Sequence, residues 1–445
     1  MEDRSRGETG LDMTLPPSLW AATARPAPRT SRLDSDIETD VVVVGGGFTG
    51  LRAALELAKA GVDVVVCEAG EPGWGASGRN GGQVNPLFNL LPEEVIRRVG
   101  PVFGPRMIRA VIESADEVFG LVRRYGMACE AEQNGWIQAA HCHSAINIID
   151  RRQRRWSQAG ADIVALGKRE MRARIGAAAY DAGILVKRGG SVQPLSYARE
   201  LASAALGAGA RIYYGARAEM LRPEQSRWHV RCGKFTTRAR FVVLCTNGYT
   251  DGLWPGLAET IVPLISAQAA TETLRESVLA EILVNRETLA DTRRLVFYTR
   301  KVDRCRLVFG SRGNSDFAGG EADMARMQAG IARVFPQLGG VRLEFCWGGR
   351  IAHTPDHLPH LHEPAPGLLS GLGYNGRGVA MSTVMGRVLA ERVLGKPMEE
   401  LAFPTTPLRR IPLHRFRRLG VHVATGWFGL RDDLDLRIGA LLHRG

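Results

Sequence analysis

The stretch Asp40–Gly70, DVVVVGGGFTGLRAALELAKAGVDVVVCEAG, decides the fold. Its four valines, Val41 to Val44, read as a short buried strand. Gly45-Gly46-Gly47-Phe48-Thr49-Gly50 follows. Leu51 to Ala60 then has a helical pattern that Gly61 stops, and a second apolar run, Val62 to Cys67, ends at Glu68. Strand, glycine turn, helix, strand and acid form the dinucleotide-binding fingerprint with all its flanks. Gly45 permits the sharp turn out of the strand. Gly47 lets a pyrophosphate approach the backbone, and Gly50 lets the helix lie close on the sheet. Free N–H groups at the helix start, with the helix dipole, favour phosphate charge. Glu68 stands at the tip of the second strand, where a carboxylate accepts hydrogen bonds from ribose hydroxyls and repels a 2′-phosphate.

Working outward, a chain of 445 residues has room for two or three lobes. Its 45 % hydrophobic and 23 % charged residues are ordinary for a globular protein. Seven scattered cysteines without a C-x-x-C pair argue against a disulfide framework and for a reducing compartment. Cys142 lies beside His141 and His143, but no second cluster has ligand spacing, so no metal is expected. MEDRSRGETG lacks the apolar core of a secretory leader, and no run reaches the ~18–20 apolar residues of a membrane span. A cytoplasmic protein is expected. The net charge of +12 comes without a nucleic-acid motif, so no nucleic-acid partner is expected and the arginines read as solvated surface. LRRIPLHRFRRL, Leu408 to Leu419, is the best membrane-surface candidate, although Pro412 interrupts any amphipathic helix there.

Residues 1–35 read as an arm over the body, pinned by Trp20. Past the fingerprint, Gly73 to Gln83 holds five glycines with Ser77, Arg79 and Asn80, a loop suited to a second phosphate or a flat ring. Leu91 to Tyr125 reads as one helix, Trp136 to Ala140 as a strand, Leu195 to Leu206 as a helix, Ala210 to Gly215 as a strand. Phe235 to Cys245 reads as another strand, opening into Thr246-Asn247-Gly248-Tyr249 at its carboxyl end, where α/β sheets place ligands. Leu295 to Arg300 and Arg306 to Arg312 alternate as antiparallel strands do. Gly367 to Gly373 and the helix from Ala380 to Val393 flank a second glycine turn, Tyr374-Asn375-Gly376-Arg377-Gly378-Val379.

With GASGRNGGQV, TNGYT, WGGRIAHTPDHLPHLHE and GYNGRGVAM added to the fingerprint, the chain resembles the D-amino-acid oxidase, or glycine/sarcosine oxidase, superfamily of FAD enzymes. It is most similar to the γ-glutamylputrescine oxidase branch. The resemblance runs from about Ser18 to Leu413. It implies an α/β fold: a discontinuous Rossmann-like FAD-binding domain (36–85, 190–258 and 345–400) and an α+β substrate domain with an antiparallel sheet (86–189 and 259–344). Residues 401–445 form a tail.

The resemblance further implies FAD, held without a covalent bond. Its contacts are expected at Gly45, Gly47, Phe48, Thr49 and Gly50; at Glu68 and Ala69; and at Ala76, Ser77, Gly78, Arg79, Asn80, Gly82 and Gln83. Ala218, then Thr246, Asn247 and Gly248, and finally Gly373, Tyr374, Asn375, Gly376, Gly378 and Val379 complete the set. The implied reaction oxidises the C–N bond of an amine or amino acid, with hydride passing to flavin N5, imine hydrolysis, and re-oxidation by oxygen or another acceptor. Substrate-pocket candidates are Tyr298, Trp347, Arg350, His353 and Tyr374, with Arg350 placed to clamp a substrate carboxylate or to assist oxygen. Two other readings are an NAD-dependent Rossmann dehydrogenase, which would leave the second glycine turn without a use, and a non-enzymatic electron-relay flavoprotein.

Overall fold

The computed structural model describes residues 13–303, 305–313 and 320–442. The N-terminal decapeptide read above therefore lies outside the described residues, as does the start of the arm.

Val41–Val44 is a strand with every side chain buried. Its run is continuously apolar because both faces are covered. Val41 and Val43 pack toward helices Phe48–Lys59, Pro194–Gly207 and Gly378–Val393. Val42 and Val44 pack with Trp228 and Val230 of a four-stranded sheet on the opposite side. The central sheet has seven strands in the order 31–32, 211–214, 64–67, 41–44, 241–244, 368–372 and 360–365. All pairs are parallel except the last. The first glycine turn, the 246–248 turn and the second glycine turn leave the carboxyl ends of three adjacent strands, so the topology alone gathers them.

A second sheet of eight strands runs in the order 343–353, 262–271, 306–312, 298–302, 288–291, 136–139, 183–186 and 163–166. Its pairs are antiparallel except 288–291 with 136–139. The α/β fold with an antiparallel second sheet is thus present, but four local readings change. Leu343–His353 pairs along its whole length with Val262–Thr271, so the FAD segment that was to begin at residue 345 starts in the other sheet. Phe235 to Cys245 is two strands, 235–239 and 241–244, in different sheets. The 92–125 helix breaks at Gly100, whose φ of 85° is non-helical and precedes Pro101. Ser31–Arg32 joins the central sheet as its edge, so the arm ends sooner than residue 35. Within the arm, Trp20 is fully buried, meets Trp347 edge-on at 5.6 Å and donates from Nε1 to Asn80 O at 2.8 Å.

Candidate functional site

Between the two sheets lies a cavity of about 650 Å³. One end is the fingerprint. Gly45 has φ +106° and donates to Cys67 O at 2.9 Å, tying the turn to the second strand. A Cβ on Gly50 would fall 2.0 Å from Gly45 O, so only glycine lets this helix lie so near its strand. At Gly47 a Cβ would fall 2.8 Å from Ser77 Oγ, and that hydroxyl accepts the Phe48 N–H at 3.0 Å. Ser77 thus reaches over the helix start from the second glycine-rich loop. The Glu68 carboxylate accepts from Gly46 N at 2.5 Å and Gly70 N at 2.8 Å. Burial raises its pKa, and those N–H groups counter the rise.

At the far end of the same turn system, Asn247 accepts the Gly373 N–H through Oδ1 at 2.9 Å, joining two strand ends. Tyr374 shares a 2.7 Å hydrogen bond with Thr49 Oγ1, which links the second glycine turn to the first helix. Asn375, at φ 50°, accepts the Thr354 N–H at 2.9 Å and donates to Gly373 O at 2.6 Å. Its side chain shapes the turn. Gly376 has φ +80° with nothing near a would-be Cβ, so backbone conformation and not crowding selects glycine there.

Of the residues named from sequence, Gly45, Gly47, Phe48, Thr49, Glu68 and Ala69 line the cavity. So do Ala76, Ser77, Asn80, Gln83 and Ala218, then Thr246, Asn247 and Gly248. Tyr374, Asn375, Gly376, Gly378 and Val379 complete the nucleotide side, with Tyr298 and His353 opposite. Seven named residues stand behind the wall. Gly50, Gly78, Gly82 and Gly373 act through close packing: a Cβ on Gly78 would meet the backbone Gly73 O at 2.4 Å, on Gly82 the backbone Val192 O at 2.1 Å, and on Gly373 the side-chain Thr354 Cγ2 at 2.4 Å. Arg79 is buried beneath the Trp74 ring, 4.3 Å from its centroid, and donates from Nε to Trp74 O at 2.7 Å, so it shapes the loop instead of facing the cavity. Trp347 donates from Nε1 to Arg79 O at 2.9 Å and packs on Trp20.

Arg350 is the main correction. Ser266 pairs with Gly349 and Leu264 with Ile351, so Gly349, Ile351 and His353 share one face of this strand and Arg350 takes the other. Ile351, Ala352 and His353 line the cavity and Arg350 does not; its guanidinium lies 5.8 Å from the centroid of the Tyr249 ring, which itself borders the cavity. Cys346 has the same parity as Arg350 and packs against the cluster around Phe309 and Ile331.

Register instead supplies Arg312, which sequence reasoning missed. It pairs with Ser266, two residues from Gly310, which pairs with both Gln268 and Tyr298. A Cβ on Gly310 would lie 2.1 Å from the Tyr298 ring, so the glycine makes room for that ring. The alternation RLVFGSR carried this signal, since Gly310 and Arg312 share one face. Arg312 Nη1 and Ser311 Oγ are buried without a hydrogen-bond partner among the described residues, and both residues line the cavity. Burial pushes the Arg312 pKa down to about 10. Tyr298 shares a 2.5 Å hydrogen bond with Ser266 Oγ, and burial pushes its pKa up to about 12. His353 is held down to about 4, first by burial and then by its neighbours His357, Arg312 and Arg377.

Three ligand-type groups, His141, Cys142 and Asp435, come within 4.8 Å of one another. Asp435 comes from the end of the chain, which sequence spacing could not connect. Its carboxylate is ion-paired to Arg294 at 2.7 Å.

The residues suit FAD: a helix start with glycine at its cap, a carboxylate at the second strand tip, and a cavity long enough to pass beneath three turns. Comparisons agree. The model of the family described as DAO, FAD-dependent oxidoreductase, matches residues 40–392. A probable oxidoreductase OrdL of Haemophilus influenzae is 31 % identical, with 80 % of this chain and 83 % of that protein covered. The gamma-glutamylputrescine oxidoreductase of Escherichia coli is 28 % identical over 94 % of this chain and 99 % of that protein. Glycine oxidase from Geobacillus kaustophilus has a similar fold, with a TM-score of 0.72 and 22 % identity over 84 % of this chain and 100 % of that one. FAD, the dinucleotide that the resemblance implied, is the cofactor of the matched family, and the chain belongs to the DAO family of FAD-dependent oxidoreductases.

Proposed function

We propose that this protein oxidises the carbon–nitrogen bond of an amine that also carries a carboxylate, either an amino acid or a γ-glutamylated amine. The observation that carries the reading is Arg312: a half-buried side chain in the cavity wall whose Nη1 is enclosed, with no carboxylate paired to it among the described residues. A buried cation without an anion is costly, and a planar carboxylate answers it with two parallel hydrogen bonds. Gln138 Oε1 and Asn85 Oδ1, also in the wall and also without partners among the described residues, are acceptors suited to an amine N–H. The name of the Escherichia coli relative supports a substrate with both groups.

Bound FAD supplies the two-electron oxidation. It would be held by the helix start at Phe48, by Ser77 and Glu68, and by the turns at Thr246–Gly248 and Tyr374–Val379. We read the attachment as non-covalent, because Cys346 packs away from the cavity. The chain's own part is orientation and proton control. Among the described residues each carboxylate of the wall is engaged: Asp291 by Arg293, Asp251 by Arg217, and Glu68 by backbone N–H groups. His353, held down to about 4, is neutral at pH 7 and a weak base. The substrate ammonium therefore gives its proton to water, and the rate should rise with pH as the amine becomes neutral.

The test is an anaerobic screen of amines with and without carboxylates, followed through the flavin absorbance of the purified holoprotein. Bleaching by carboxylated amines, faster at higher pH, supports the reading. Bleaching by hydroxy acids while amines are inert overturns it. A yellow protein that no amine reduces would favour an electron relay.

A further inference from the structure

We propose that the C-terminal helix, Arg417–Leu442, docks this protein on a membrane surface that carries anionic lipid headgroups. The helix is amphipathic in the inverted sense. Its polar side chains hold the body: Asp432 accepts the backbone N–H groups of Arg294 and Leu295 at 3.1 Å, and Asp435 pairs with the Arg294 guanidinium. Just before the helix, His414 Nε2 donates to Ile261 O at 2.9 Å. The apolar side chains face outward. Phe416, Leu419, Val423, Trp427, Leu430 and Leu434 recur every three or four residues, each at least half exposed, as with Leu419 at 64 % and Trp427 at 56 %. That spacing puts them in one stripe. A helix of a water-soluble surface would turn this stripe inward, and an unpartnered stripe of this size marks an interaction site.

Charge chooses the occupant. From Leu401 to Arg431 there are six arginines and no Asp or Glu. Arg409, Arg410, Arg415 and Arg418 are exposed around the start of the stripe. An apolar stripe with Trp and Phe, flanked by arginine, is what lies in the boundary between headgroups and acyl chains of an anionic bilayer. A second copy meeting the same stripe would bring arginine-rich segments together or set them against Asp432 and Asp435, which Arg294 already engages. Among the described residues no helix is long and apolar enough to cross a membrane, so the helix lies on the surface. Pro412, which seemed to break an amphipathic helix in the sequence, instead precedes it. Since Arg294 belongs to the cavity wall, docking would bring the bilayer to the side from which that wall is built.

The experiment is co-sedimentation of the FAD-loaded full chain with vesicles of pure phosphatidylcholine and of equimolar phosphatidylcholine and phosphatidylglycerol, at low and high salt. Binding is expected on the anionic vesicles, weakened by salt. It should fall roughly tenfold in Trp427→Glu/Leu430→Glu through lost apolar insertion. Arg409→Gln/Arg415→Gln should remove the preference for anionic vesicles. Flavin content and turnover of each variant report that the fold is intact. No sedimentation with either vesicle overturns the proposal, as does binding unchanged in Trp427→Glu/Leu430→Glu. A dimer in light scattering that this double variant splits, without vesicle binding by the wild type, overturns it in favour of a second copy.

Discussion

The two ends of the cavity are built on different principles. The nucleotide end is local. Gly45, Gly47 and Gly50 lie within six residues, and the atoms that demand glycine there, Gly45 O and Ser77 Oγ, belong to the same turn and the next loop. The opposite wall is non-local. Tyr298, Arg312 and His353 come from three strands and meet only because register sets Tyr298 against Gly310, Ser266 against Arg312 and Val262 against His353. A one-residue slip would turn every one of those side chains to the other face. The nucleotide end is therefore intolerant of added atoms, whereas the substrate wall is intolerant of changed register and free to change chemistry.

The sharpest break of that contrast is at the glycines. Gly50→Ala puts a Cβ 2.0 Å from a backbone oxygen and should yield protein without flavin, or no soluble protein. Gly47→Val should fold, since Ser77 can move, but lose FAD. Gly376→Ala has open space and should cost only about 1 kcal/mol for its left-handed backbone. Flavin content and thermal melting of the three variants check this order. Equal FAD in Gly47→Val and wild type would remove crowding from the account of this end.

Next in size is Arg312→Ala. Loss of one charge-assisted, buried pair is worth roughly 2–3 kcal/mol, so KM for carboxylated amines should rise about 30- to 150-fold. Carboxyl-free amines should be little affected. Arg312→Lys should recover part of the loss. A uniform effect on both substrate types would show that Arg312 does not meet the carboxylate.

One histidine on each side compares the two regions by pH. His353 in the substrate wall and His362 at the edge of the central sheet are both held down to about 4, burial being the larger cause. The unfolded chain, with ordinary imidazoles near 6.5, binds more protons than the folded one between those values. Stability is thus complete above pH 6.5 and falls as pH drops toward 4, by roughly 2 kcal/mol for a group buried like His362. Denaturant midpoints across that window should flatten in His362→Gln. A midpoint independent of pH in the wild type would contradict the lowered pKa of both rings.

The smallest effect should be Arg350→Ala. Arg350 is not among the residues that line the cavity, so KM for carboxylated amines and the rate of flavin reduction should stay within about twofold of wild type. A large, substrate-selective KM effect would mean that the register of Leu343–His353 is shifted.

Sequence by itself determined the FAD lobe's principal motif. Four consecutive valines require cover on both faces, glycines at three fixed positions leave one way to leave the strand, and Glu68 follows at the strand tip; all of this is short-range sterics. It also supplied the resemblance that leads to an FAD-dependent oxidoreductase. It could have excluded one pairing, because Arg350 and His353 stand three apart on a strand and cannot share a face. What it could not supply was anything set by pairing between distant segments. Strand 343–353 belongs to the antiparallel sheet because ten residues of 262–271 pair with it. Arg79 turns under Trp74, and its carbonyl receives Trp347 and Gln268, three residues far apart in the chain. Arg312 faces the cavity through register alone, and the stripe of the last helix is outward because Asp432 and Asp435 find Arg294. Local conformation follows from the residues that adopt it; the facing of a side chain follows from which partner its strand or helix meets, and only the folded chain decides that.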